Sequence, residues 1–201
     1  MRIGNKSNEE EKKMTSVSVH TAMSQVDTEL SAPKLSLPDA DSTAEVALTE
    51  ALGYCAQKMG LAGSQAVVDR LRQGDRSACK YCHYSIAKHV AGSIGALDEN
   101  VKAVYVVDYD ATPQDLCFYE GPQGSQIHLI VWAERKTGAL DSLVGALDRA
   151  LVERYNDVIG TCQLTHLLDV QVVDDADVNN RVGYGAMLSS LHQRPIQVWK
   201  R

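Results

Sequence analysis

The chain has 201 residues, 44% of them hydrophobic, which suits one ordinary domain with a buried core and a tail. A net charge of −6 argues against a general nucleic-acid binder, because such proteins need basic surface to displace counterions. Five cysteines, an odd number, do not resemble a disulfide framework, and no apolar run approaches the ~20 residues of a membrane span.

In chain order, Met1 to Met14 is polar and lacks an apolar leader core, so a cytoplasmic protein away from membranes is expected. Residues 1–42 are rich in Ser, Thr, Glu and Lys and are broken by Pro33 and Pro38. They read as a disordered or loosely attached tail. Residues 43–75 read as a helical extension. Val46, Leu48, Leu52, Cys55 and Met59 keep rough helical spacing up to Gly60, and a second short helix covers Ser64 to Gln73. This extension could cover a sheet or mediate self-association.

Residues 76–201 form the main expected domain. A third helix starts near Asp75 or Ser77 and runs toward Leu97, weakened at its end by Gly92 and Gly95. Val101 to Val107 is β-branched and aromatic, hence a strand. A long loop through Pro113, Gly121, Pro122 and Gly124 leads to a second strand, Ile127 to Ala133. No helix is evident between the two strands, so they should pair antiparallel. Leu140 to Ile159 is the clearest helix, with an apolar stripe through Leu143, Leu147, Leu151 and Tyr155. Asp141, Asp148, Arg149 and Glu153 are expected to face water, and Gly160 to cap the helix. A third strand is expected over Leu164 to Val173, a short helix over Tyr184 to Leu191 and a last strand over Ile196 to Trp199. The acidic run Asp174-Asp175-Ala176-Asp177 reads as a solvated loop. The expected fold class is α/β in the α+β sense, a small mixed sheet flanked by helices.

Ser125-Gln126-Ile127-His128-Leu129-Ile130-Val131 resembles the catalytic strand of nucleotidyltransferases of the DNA polymerase β superfamily, Ser-Asp-Ile-Asp-Leu-Leu-Val. The order helix, strand, loop, strand, helix, strand, helix, strand from about Tyr84 to Arg201 resembles the minimal core of that family. By this resemblance, Gln126 and His128 stand where two carboxylates hold Mg²⁺, and Asp169 matches the third carboxylate. Asp108-Tyr109 stands where a Gly-Ser turn would meet the triphosphate.

These departures bear on the chemistry. Nucleotidyl transfer relies on positioning and metal charge, and Mg²⁺ takes hard oxygen ligands. A glutamine carbonyl and an imidazole are poor replacements, and Asp108 would repel phosphate. The resemblance therefore implies a nucleotidyltransferase-like domain that does not transfer nucleotides by the family's mechanism, with no cofactor expected. The candidate pocket is Asp108, Asp110, Gln126, His128 and Asp169. Its partner would be a protein or small-molecule ligand of unknown identity. The alternative is an enzyme with a rebuilt site, in which Asp108, His128 and Asp169 would suit a transition metal better than Mg²⁺.

Two shorter patterns compete. Cys79-Lys80-Tyr81-Cys82-His83 matches a haem-attachment pattern, but no export signal or second ligand pair accompanies it, so two cysteines on a buried helix face are expected. Asp108-Tyr109-Asp110-Ala111-Thr112 resembles the first motif of haloacid-dehalogenase-type phosphatases. That fold needs a longer alternating chain downstream than remains here, so the two aspartates are read as closing a strand.

Overall fold

The computed structural model describes residues 37–107, 126–160, 164–190 and 195–201. The expectations for residues 1–36, for Asp108 and Asp110, and for the loop through Pro113, Gly121, Pro122 and Gly124 lie outside them.

Three helices open the described chain: α1 (Leu37–Met59), α2 (Ser64–Arg72) and α3 (Arg76–Leu97). The first begins inside the segment expected as tail. Pro38 does not prevent this, since in a first helical turn its missing N–H would have had no intrahelical acceptor. The buried face of α1 is built mainly from small residues: Ala40, Ala44, Ala47, Ala51 and Ala56 join Leu48, Leu52 and Cys55. These positions recur at helical spacing, and the small side chains favour close approach to α3 and α4 (Gly138–Ile159). Val46, expected on the inner face, is 44% exposed. In α3, the Asp75 carboxylate accepts from the backbone N–H groups of Ser77 and Ala78, a regular N-cap.

The sheet contains β1 (Val101–Val106), β2 (Ile127–Ala133), β3 (Leu168–Val173) and β4 (Ile196–Lys200), in the order β3-β2-β1-β4. β1 pairs antiparallel with both β2 and β4, while β2 and β3 run parallel. The class is thus mixed, with a four-stranded mixed sheet flanked by helices, as the element pattern implies. One hydrophobic core runs through α1, α2, α3, α4 and one face of the sheet. The segment 43–75 is therefore part of the same core as the rest. Alternation along β2 sends Ile127, Leu129, Val131 and Ala133 into that core and leaves His128, Ile130 and Trp132 on the opposite face.

The long helix α4 carries the expected stripe: Leu140, Leu143, Leu147, Leu151, Tyr155 and Ile159 are buried, and Gly160 ends it with a left-handed φ of 68°. Arg72 of α2 closes the same end. Its guanidinium donates to the carbonyls of Ile159 at 2.7 Å and Val158 at 3.1 Å. Asp148, expected to face water, is instead buried.

Two more expectations change downstream. The third strand starts at Leu168 rather than Leu164, because the backbone of Leu164 is held by α4: the Asn156 side chain both donates to its carbonyl and accepts from its N–H, each at 3.0 Å. The acidic run forms a short helix, α5 (Asp175–Asn180), whose N-cap Asp174 and Asp177 make a reciprocal capping box. After it come α6 (Tyr184–Leu188) and β4. Trp199 of β4 lies against Gly95 of α3 so closely that a Cβ there would collide with the indole, which explains a glycine that otherwise only weakens the helix. Arg201 donates to the carbonyls of Gly95 at 2.6 Å and Asp98 at 3.2 Å, closing the C-terminus of α3.

Candidate functional site

The candidate site lies on the sheet face turned away from the helical core. In the parallel pairing of β2 with β3, His128 stands directly beside Asp169. Their side chains meet, Nδ1 to Oδ2, at 2.7 Å. His128 is the more buried, with 12% of its side chain exposed against 34% for Asp169. An ionised carboxylate can only accept, so Nδ1 carries the shared hydrogen. The other oxygen of Asp169 accepts from the Gln171 amide at 2.9 Å. Gln171 is two residues further along β3 and so shares the face. Gln126, one residue before β2, is exposed.

The structure thus brings together two of the five expected pocket residues, His128 and Asp169, and adds Gln171. Asp108 and Asp110 lie outside the described residues. Among the described residues, no cluster of three or more His, Cys, Asp or Glu side chains could hold a metal ion. A histidine oriented by a carboxylate is a versatile unit. It can present its other nitrogen as a base or a metal ligand, or it can fix a strand pair by a charge-assisted bond.

The far end of the same face carries a second polar group. Asp175, at the start of α5, accepts from Lys102 of β1 at 2.6 Å and from the Trp132 indole of β2 at 2.8 Å. Those two bonds, Lys102 first, hold its carboxyl below the usual range. Lys136 similarly pairs with Asp177 at 2.7 Å, and its ammonium lowers the carboxyl of Asp177. These contacts pin the α5 turn across the end of the sheet.

Behind the site, Asp148 of α4 makes a clamp that periodicity alone overlooked. One carboxylate oxygen accepts from the backbone N–H groups of Leu167 at 2.9 Å and Leu168 at 2.8 Å. The other meets Nδ1 of His166 at 2.8 Å. The signal was present: Val144, Leu151 and Tyr155 lie four before, three after and seven after Asp148, which places the carboxylate on the buried stripe.

The cysteines of the haem-like pattern lie elsewhere. Cys82 is buried in α3 and Cys79 half-buried, while Cys55 of α1 approaches the Ala78 carbonyl at 3.6 Å. Burial, then the neighbouring Cys55 and Cys79, pushes the Cys82 thiol well up. The thiolate, which is the metal-binding and nucleophilic form, is thereby disfavoured. His83 next to it, with its ring tilted against Tyr155, is pushed down to about 4 by desolvation.

No helix among the described residues is long and apolar enough to cross a membrane. Compared with known proteins, the chain matches no family profile, no curated protein and no solved structure.

Proposed function

We propose that this chain is a non-catalytic, regulatory binding protein on a degenerate nucleotidyltransferase-like core, with its pocket on the sheet face around Gln126, His128 and Asp169. The observation that carries this reading is the 2.7 Å contact between His128 and Asp169. Asp169 is the one strand carboxylate retained relative to the family resemblance, and both of its oxygens already accept side-chain donors, from His128 and Gln171. A carboxylate engaged this way, beside an imidazole and not a second carboxylate, is a poor partner for Mg²⁺. The polar side chains on and beside this face, Gln171 and Gln126 with the His128–Asp169 pair, suit recognition of a polar protein segment or small molecule.

Isothermal titration with ATP, GTP and CTP in Mg²⁺ tests this directly. The expected outcome is no appreciable binding and no transfer of nucleotide to protein or RNA. Micromolar binding abolished by Asp169→Ala would overturn it.

The second reading is a rebuilt, transition-metal-dependent enzyme site around Asp108, His128 and Asp169. The same His–Asp contact bears on it in one form: a metal-ligating histidine commonly hands its other ring nitrogen to a carboxylate, which would make Asp169 the partner that orients His128 and not itself a ligand. Titration with Zn²⁺ and Mn²⁺ separates the two. Stoichiometric binding lost in His128→Ala would put the enzyme reading first.

A further inference from the structure

We infer that Asp148, on the opposite side of the sheet from the pocket, is a positioning residue for the His128–Asp169 pair. It acts by fixing where β3 lies along β2. The pair forms only because His128 and Asp169 are in register across the parallel strands. A slip of one residue would send Asp169 to the core face and bring Leu168 or Val170 beside His128. β3 is an edge strand, paired within the sheet to β2 alone, so its place along β2 is set by that pairing, by the core-facing Leu168, Val170 and Val172, and by contacts from outside the sheet.

Two contacts set its origin. The Ile127 N–H donates to the Leu167 carbonyl at 2.8 Å, which starts the β2–β3 pairing. Asp148 then holds the N–H groups of Leu167 and Leu168, the two residues before Asp169, on a single carboxylate oxygen. Because α4 is anchored in the core by Leu147 and Leu151 on either side of Asp148, the clamp refers β3 to a rigid element. Asn156 holds Leu164 from the same helix, so the approach to β3 is tied at two points. His166 is not needed for this function. It meets the other oxygen of Asp148 and is itself two-thirds exposed. Asp148 does this whether the pocket binds or reacts.

The test reads the His128 ring rather than stability. In protein labelled with ¹⁵N-histidine, at a pH where free imidazole is neutral, the Nδ1–H of His128 held by a carboxylate gives a protected proton signal, which Asp169→Ala identifies by removing its acceptor. Asp148→Ala should abolish that signal while the core, followed by amide exchange in α3 and α4, stays folded. Asp148→Asn, which keeps a carbonyl acceptor for the two N–H groups, and His166→Ala should both retain it. A wild-type His128 signal in folded Asp148→Ala overturns the inference. Should Asp148→Ala fail to fold, the wild-type protein decides on warming: the His128 signal should vanish together with protection of the Leu167 and Leu168 amides. Its survival after those amides exchange freely would equally overturn the inference.

Discussion

Single residues in this protein repeatedly owe their environment to a partner far away in sequence. Gly92 and Gly95 are the sharpest case. Both sit inside α3 and both look like helix weaknesses, yet only Gly95 faces the Trp199 indole, while a Cβ on Gly92 meets nothing within 4 Å. Gly92→Ala is therefore expected to stabilise the protein by about 0.5–1 kcal/mol, and Gly95→Ala to destabilise it by about 1–3 kcal/mol through overpacking. Urea unfolding of the two variants, with tryptophan fluorescence as the probe, checks the opposite signs. His83 sets a pH dependence of a different kind. Its folded-state value of about 4 lies below the ordinary 6.5, so the unfolded chain binds a proton that the native one does not. Its contribution is fully present above about pH 6.5 and is lost as pH falls toward 4. Thermal melts across that window should show a shallower loss of stability in His83→Gln than in the natural protein. Equal slopes would show that the ring stays hydrated.

At the scale of elements, most of the architecture was legible because periodicity and turn chemistry agree. The stripe of α4, its Gly160 cap and both strands of the β1–β2 pair follow from residue type, and the antiparallel sense from a connection that shows no helical pattern. What was not legible has physical causes. The start of α1 was missed because its buried face is mostly alanine, which carries little hydropathy contrast against a polar background. The α5 turn reads as a solvated loop in the sequence because its stability comes from a capping box and from Lys102, Trp132 and Lys136, the last three distant in sequence. The late start of β3 reflects side chains of α4 taking the backbone of Leu164 before a strand can. The α2–α4 contact offers a direct test at this scale. Arg72→Ala removes two hydrogen bonds and a positive charge from the C-terminus of α4, and should cost about 1 kcal/mol. Arg70→Ala, which breaks an exposed pair with Asp75, should cost less. Denaturant midpoints for the two variants at equal slope give the comparison.

For the molecule as a whole, the site was half legible. Gln126 falls one residue before β2, while strand alternation puts His128 on the face away from the core and the third strand supplies Asp169 beside it. Their direct contact depends on the parallel register, which no local pattern encodes, and the role of Gln171 follows only from that register. The strand order carries a consequence for how the protein is made. β1 is an interior strand, yet one of its two edges is closed by residues near position 196 while its other neighbour lies near position 129. During synthesis, β1 and β2 can pair early, but the second edge of β1 and the cleft over Gly95 stay open until β4 has emerged. An open edge is a template for pairing with other chains. Polypeptides interrupted before Ile196 would carry that edge uncovered. Products cut short before Ile196 would then be expected among insoluble material, because β4 is what closes the second edge of β1.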